Sequence, residues 1–261
     1  MRAQRLGEAE RLASMVLAAA PGDPIAAQVL GHTLLIQRRA QEAIEPLLAA
    51  ARRNDDPAIE TLLARALAGA GRAEAAFDQL RRTTARRPPF PLAFLELGDL
   101  LGDAGRFDEA AAVFESGLTL APDAVVLRVG LGNLHLKRNN RAEARRLFSQ
   151  VRAAAPQRHD ALVALAKVLT LDGEYAAAAD LYRRALAMRP HDAMTRINLG
   201  KCLLEMGERD AGEASLRAAT RDAGELAGLA ATALAATPRG RFFLRPSAAA
   251  NFLQVEGRDA A

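Results

Sequence analysis

The stretch FLELGDLLGDAGRFDEAAAVFESGLTLAP, residues 94–122, decides the fold of this chain. Apolar or small side chains recur at helical spacing on both sides of a glycine, and a proline closes the stretch: Phe94, Leu97, Gly98, Leu101, Gly105, Ala110, Phe114 and Pro122. Spacings of three and four residues predict one face of a helix, while glycine and proline mark where a helix ends. The stretch therefore predicts two helices joined by a tight turn.

This unit is repeated along the chain with a constant period. Prolines recur every 34 residues at four positions: Pro88, Pro122, Pro156 and Pro190. One period earlier lies Asn54, close to Pro57, and a further step ends beside Pro21, one residue short of the period. A fixed period of this length indicates stacked copies of one supersecondary unit.

Other residue types keep the same register. The turn position carries Gly71, Gly105, Asn139, Gly173 and Gly207, and a bulky position carries Leu80, Phe114, Phe148 and Tyr182. Glycine adopts positive φ freely and asparagine tolerates it best among the others, so the first series predicts a left-handed residue between two helices. Small residues such as Gly98 let the two helices approach closely, and the bulky residues fill the space beside them.

The order of apolar residue, Leu-Gly, apolar residue, glycine turn, alanine, aromatic residue and proline, repeated every 34 residues, resembles the tetratricopeptide repeat (TPR). The resemblance implies an all-α protein, a right-handed α-solenoid of stacked TPR helix hairpins with a C-terminal capping helix and a short tail. We expect a partial repeat or capping helix over residues 1–23, about six repeats over 24–224, and a cap helix with a Phe-rich tail over 225–261. The family's usual role implies a protein-interaction scaffold rather than an enzyme.

Composition favours the same conclusion. The net charge is +4, from 35 Lys and Arg against 31 Asp and Glu, and the two signs interleave along the chain. Interleaved charges are typical of solvated helix faces, whereas a nucleic-acid binder concentrates its basic residues. Cys202 is the only cysteine, and none of the four histidines has a metal-binding partner at helical spacing. We therefore expect no nucleic acid, no metal, no cofactor and no catalytic residue.

Individual residues carry further expectations. His135 lies in a slot that other repeats fill with leucine, and we expect it to be packed, while His159 and His191 fall at repeat junctions and are expected to be exposed. Cys202 lies inside a first helix and is expected to be buried. The apolar segment 12–20 ends like a signal-peptide cleavage site, but Glu8 and Glu10 interrupt its approach. We expect a cytoplasmic protein without a membrane span.

The resemblance also implies a binding surface, because the first helix of each hairpin lines a concave groove in this family. One groove-facing slot directly follows each Leu-Gly pair, and with a neighbour one turn away it gives the candidate peptide-binding residues Arg65, Asp99, Asn133, Lys167, Asn198 and Lys201. Asparagine can pair with a peptide N–H and C=O, and lysine attracts a carboxylate. The groove is therefore expected to bind an extended or acidic peptide segment of a protein partner, or a free C-terminus.

Alternatives stay open from the residues alone. The same slots are compatible with ordinary solvated helix faces that bind nothing. Val129, Ala164 and Met194 stand where a carboxylate clamp for chaperone tails would carry lysine or asparagine, which disfavours that role. Related repeat arrays precede sulfotransferase or glycosyltransferase domains, so the second candidate function is an accessory repeat module acting in trans with such an enzyme. Non-specific RNA or DNA binding through arginine is the third.

The C-terminal tail carries three of the nine phenylalanines, Phe242, Phe243 and Phe252. After a breaker at Pro238 and Gly240, Ser247 is a good N-cap for a short helix over residues 248–255. Two interpretations follow. The tail either folds onto the last hairpin as a cap or is a docking element, for a partner or for self-association.

Overall fold

The computed structural model describes residues 2–237, 240 and 246–253. Throughout these residues the secondary structure is helical, with no strand. The chain divides into two compact units, residues 1–134 and 135–261, and each is described by itself. The predicted all-α fold of stacked helix hairpins is confirmed.

The first unit consists of one leading helix followed by helix hairpins. Its helices are α1 (Arg2–Ala19), α2 (Pro24–Ile36), α3 (Ala40–Arg53), α4 (Pro57–Gly69), α5 (Ala73–Thr84), α6 (Pro91–Asp103), α7 (Phe107–Leu120) and α8 (Val125–Lys137), and the second unit begins at the last turn of α8. The first helices α2, α4 and α6 each contact their own second helix, and α4 also packs against the neighbouring first helices α2 and α6.

The second unit continues with the same kind of hairpin. Its helices are α9 (Arg141–Ala154), α10 (His159–Leu171), α11 (Tyr175–Met188), α12 (Ala193–Met206), α13 (Arg209–Asp222), α14 (Ala227–Ala236) and α15 (Pro246–Phe252), with a 3₁₀ turn at Gly224–Leu226. Successive helices α9 to α13 pack on one another, and α10 also contacts α12. Helix α14 packs against both α12 and α13.

The turns within the hairpins have the predicted geometry. All five predicted positions have positive φ, from 56° at Asn139 to 86° at Gly207. Around Gly105 the chain closes a Schellman-type turn, in which the Arg106 N–H donates to the Leu101 carbonyl at 2.9 Å. Arg38, with φ of 61°, occupies the corresponding turn of the first hairpin.

Phe114 shows why the small and large positions alternate. A Cβ atom added at Gly98 would lie 2.4 Å from its Cζ, and one added at Gly130 would lie 2.5 Å from its Cε1. Phe114 is itself fully buried. The ring therefore fills space that exists only because both neighbouring first helices carry glycine at these positions.

The C-terminal segment rests on the last hairpin of the second unit. Leu253 is 1% exposed and belongs to an apolar cluster with Leu204, Leu216 and Leu234. Its carbonyl accepts a buried hydrogen bond of 2.9 Å from the Thr220 hydroxyl of α13. The short helix thus covers apolar side chains that the end of the array would otherwise leave open.

The structure corrects one residue-level expectation. His159 was predicted to be exposed but is only 8% exposed, because the N-cap of α12 covers it, with Asp192 Oδ2 lying 3.3 Å from its Nε2. The side chain of His191 is 88% exposed, as predicted. Cys202 is fully buried, as predicted.

Candidate binding surfaces on the first helices

The six predicted groove residues all lie on first helices of hairpins, divided equally between the two units. Arg65, Asp99 and Asn133 lie on α4, α6 and α8 of the first unit, and Lys167, Asn198 and Lys201 lie on α10 and α12 of the second. All are exposed except Asn198, which is half-buried. Five of them directly follow the Leu-Gly or Leu-Ala pair of their repeat, and Asn198 lies one helical turn before Lys201. Because that pair is buried, the residue after it lies on the exposed side of the helix.

In the first unit, Arg65 and Asp99 line one small cleft, which we call the Arg65 cleft. Its volume is about 200 Å³, and its polar lining comes from Arg65, Glu96, Asp99 and Asp103. Arg65 Nε lies 3.3 Å from Glu96 Oε1 across the space between α4 and α6. The lining of the cleft thus carries three carboxyl groups and one guanidinium group.

Glu96 is the residue of the Arg65 cleft that the sequence analysis missed. Burial raises the pKa of its carboxyl group, Arg65 opposes that rise, and Asp99 adds to it. A carboxyl group whose pKa is perturbed by burial and by a nearby charge is more frequent at functional sites than elsewhere. The available signal was its spacing, because Glu96 lies one helical turn before Asp99 and therefore on the same face.

The second unit presents a different face, which we call the lysine face: Lys167 on α10, and Asn198 and Lys201 on α12. The two lysines occupy equivalent repeat positions on helices that contact each other. Within the described part of the chain, no carboxylate lies within ion-pair distance of either ammonium group. Exposed apolar side chains lie on the same helices at helical spacing, with Leu171 one turn after Lys167 and Met194 two turns before Lys201; they are 52% and 44% exposed. The arrangement offers cationic, amide and apolar contacts.

The other reactive side chains of this region are packed inside. Cys202 Sγ lies 3.3 Å from the Thr170 hydroxyl, and burial raises the pKa of its thiol. Burial likewise raises the pKa of Tyr182 to about 12. Both groups are therefore neutral near pH 7, and neither is placed to act as a nucleophile or base. Among the described residues, no group of three or more His, Cys, Asp or Glu could hold a metal ion.

The tail residues are only partly described. Phe252 is half-buried, and the Arg217 guanidinium lies 4.9 Å from its ring centroid, which is a cation–π distance. Phe242 and Phe243 lie outside the described residues. None of the described helices has the length and apolar character needed to cross a membrane.

Repeated helix hairpins that present exposed polar slots on their first helices define the class of helical-repeat binding proteins. The chain belongs to the tetratricopeptide repeat family: one model of this repeat matches residues 102–168 and 169–236, and a second matches residues 61–125. Proteins of this family generally mediate protein–protein interactions. The predicted family is thereby confirmed.

Among characterised proteins, the chain is similar to the Cellulose synthase 1 operon protein C of Komagataeibacter xylinus. The two are 29% identical over 132 residues, which is 49% of this chain and 10% of that protein. The chain therefore corresponds to only a small part of this relative, and the match is confined to about half of the chain itself.

Several solved structures share the fold. PilF of Pseudomonas aeruginosa matches with a TM-score of 0.61 and 18% identity, over 76% of this chain and 91% of that one. TTC0263, a TPR protein of Thermus thermophilus, matches with a TM-score of 0.59 and 22% identity, over 68% and 97%. A human IFIT1 dimer with PPP-AAAA matches with a TM-score of 0.69 and 14% identity, over 88% and 60%. At these identities the likeness concerns the fold alone.

Proposed function

We propose that the chain is a protein-interaction scaffold whose first-helix groove binds an extended, acidic segment of a partner protein, with the lysine face as the anchoring part. The observation that carries this proposal is the pair of exposed lysines at equivalent positions of α10 and α12. Neither ammonium group has a carboxylate partner among the described residues, so each is available to an incoming carboxylate. Asn198 lies beside them and can pair with a peptide backbone.

The side chains of the lysine face suggest how the peptide segment would be held. An extended chain exposes N–H and C=O groups that the Asn198 amide can satisfy, which fixes the orientation of the segment. Lysine adds point charges that favour acidic side chains or a terminal carboxylate, and Met194 and Leu171 supply apolar area. In the first unit, Arg65, Asp99 and Asn133 are proposed as further contacts.

A charge-reversal experiment tests this proposal. The variant Lys167→Glu/Lys201→Glu is expected to bind a fluorescent peptide of alternating Glu and Ala at least about tenfold more weakly, because two attractive charges become repulsive. A matched control, Arg152→Glu/Arg184→Glu, makes the same change of net charge on exposed positions of the second helices α9 and α11. The control is expected to bind the peptide as the unmodified protein does.

The peptide is compared with a free and with an amidated C-terminus, which separates a terminal carboxylate from acidic side chains as the group recognised. Helicity by circular dichroism verifies that both variants are folded. Equal affinities of the lysine variant and the unmodified protein would contradict the proposal. Equal losses in the lysine variant and the control would show that only the overall charge matters, and would contradict it as well.

A second candidate function is an accessory module acting in trans with a glycosyltransferase- or sulfotransferase-like enzyme. The similarity to a protein named for a cellulose synthase operon favours it, because cellulose synthesis is glycosyl transfer. Affinity capture from the native host tests this role. It predicts recovery of such an enzyme by the unmodified chain but not by the lysine variant, and recovery of none would exclude it.

We further infer that the chain has no catalytic activity or cofactor of its own and acts in the cytoplasm on protein rather than nucleic acid. The buried, neutral state of Cys202 and Tyr182 supports the first inference. The interleaved charges support the last. Titration with single-stranded RNA checks it, and the expected result is no binding at physiological salt.

A further inference from the structure

A second cleft of the first unit lies between the second helices α3 and α5, above the first helix α4; we call it the Arg52 cleft. Its volume is about 350 Å³. Arg52 and Leu48 of α3 form one wall, Arg82 and Gln79 of α5 form the other, and Leu63 and Glu60 of α4 lie between them. It shares no lining residue with the Arg65 cleft.

Some of the charged side chains that line the Arg52 cleft already have partners of opposite charge, and others do not. Glu60 is already engaged, since Arg86 Nη1 lies 2.7 Å from one carboxylate oxygen and the Thr83 hydroxyl donates to the other at 3.0 Å. Arg86 also forms an ion pair with Asp55. Arg52 and Arg82, in contrast, have no carboxylate within ion-pair distance in the described part of the chain. Two guanidinium groups on opposite walls are therefore available to a ligand.

A hydrogen bond also orients the Arg82 guanidinium group. Its Nη2 donates to the Gln79 side-chain oxygen at 2.9 Å, one turn away on the same helix. A guanidinium whose orientation is fixed presents its remaining N–H groups as a planar fork, which matches the two oxygens of a carboxylate. Leu48 and Leu63 give the cleft an apolar part that can receive the methylene groups of a glutamate side chain.

We propose that the Arg52 cleft is a second binding site of this protein, which takes a glutamate or aspartate side chain of an acidic protein segment. The lining favours a glutamate side chain over a phosphate group, because Leu48 and Leu63 can pack against methylene groups, which a phosphate lacks. A nucleic acid fits less well, since the lining includes no aromatic side chain on which a base could stack. The site is independent of the lysine face, which lies in the other unit.

The test uses the full chain with the lysine face disabled by Lys167→Glu/Lys201→Glu, so that peptide bound elsewhere does not obscure the result. In this background, the Glu-Ala peptide is expected to retain measurable binding. Adding Arg52→Glu/Arg82→Glu is expected to weaken that residual binding by about tenfold or more. Both arginines are exposed, so the substitutions leave the core unchanged.

The matched control adds Arg152→Glu/Arg184→Glu to the same background, and it is expected to leave the residual binding within about twofold of the background value. Absence of residual binding in the background, or equal losses in the two quadruple variants, would overturn the second site while leaving the lysine face untouched. A milder pair, Arg52→Gln/Arg82→Gln, confirms that the loss comes from the guanidinium groups rather than from new repulsion. Tighter binding of phosphorylated peptide or single-stranded RNA than of the Glu-Ala peptide would overturn the assignment to carboxylates.

Discussion

The buried position of the Phe114 ring requires that residue 98 have no Cβ atom. The variant Gly98→Ala would place a Cβ 2.4 Å from the ring, so either the ring or helix α6 must move. We expect the free energy of unfolding to fall by about 1–3 kcal/mol, the usual cost of overpacking a close-packed core. Urea denaturation followed by circular dichroism measures this change.

Gly7→Ala is the matched control for this substitution. Gly7 also lies within a helix, but an added Cβ would meet nothing within 4 Å. Since alanine favours a helix over glycine, this variant is expected to be as stable as the unmodified protein or more stable, by up to about 1 kcal/mol. A loss of stability in both variants would mean that the close approach to Phe114 is not the cause.

Glu96 gives a pH-dependent prediction. Because its folded-state pKa is raised above the ordinary value of 4.5, the folded protein is stabilised while Glu96 is protonated and loses that stabilisation as pH rises through the folded-state pKa. Glu96→Gln is therefore expected to stabilise the protein near pH 7, with a benefit that disappears below about pH 4. Melting temperatures of both proteins across this range measure the difference.

Glu109 provides the opposite control. A hydrogen bond from Arg106 lowers the pKa of its carboxyl group, so Glu109→Gln is expected to destabilise slightly near pH 7 and to have no effect in acid. Two variants with the same sign of effect at pH 7 would contradict the account of Glu96. In that case the burial of Glu96 in the Arg65 cleft would not lower the free energy of unfolding.

Residue by residue, conformations governed by local chemistry were predictable and those governed by distant contacts were not. The left-handed turn at Asn139 follows from the tolerance of asparagine for positive φ, whereas Arg38 adopts the same conformation without any such preference. The burial of His159 depends on Asp192, which lies at the start of the next hairpin. No local pattern around His159 contains that information.

At the scale of elements, the helices of the repeats were predictable because each copy restates the same spacing and the same turn. The pattern fades after residue 224, and there the prediction was less precise. The tail helix was expected over 248–255, but α15 begins at Pro246, whose fixed φ suits the first turn of a helix. Its position on the last hairpin depends on the packing of Leu253 and Phe252 and on the Thr220 hydrogen bond, which composition does not reveal.

Leu253→Ala tests whether this segment acts as a cap on the second unit. A buried Leu→Ala change costs about 2–5 kcal/mol, but α15 has only seven residues and can detach, which limits the loss to its docking free energy. We therefore expect a decrease of about 1–3 kcal/mol in the free energy of unfolding by urea.

The exposed neighbour Asn251 is the control for this change. Asn251→Ala should alter stability by no more than about 0.5 kcal/mol. If Leu253→Ala leaves stability unchanged but impairs partner capture, the tail is a docking element instead. Unchanged stability together with unchanged capture would contradict both interpretations.

At the scale of the whole molecule, the fold was predictable, whereas only part of the candidate binding surface was. The residues that pack the hairpins recur at the same positions in every repeat, so the sequence pattern identifies them clearly. The exposed slots, in contrast, vary from Asp99 to Lys201 without affecting the fold. The lysine face could be anticipated from its slots. The acidic lining contributed by Glu96 and Asp103, and the Arg52 cleft between second helices, required the packing of neighbouring hairpins.

The central claim is that the lysine face contacts an acidic peptide, and an NMR titration of the ¹⁵N-labelled chain tests it most directly. On addition of the Glu-Ala peptide, we predict saturable shifts of the amide signals of Lys167, Asn198 and Lys201, with weaker changes on the second helices α9 and α11. Shifts confined to α9 and α11, or signals that stay in place throughout the second unit at saturating peptide, would contradict the account.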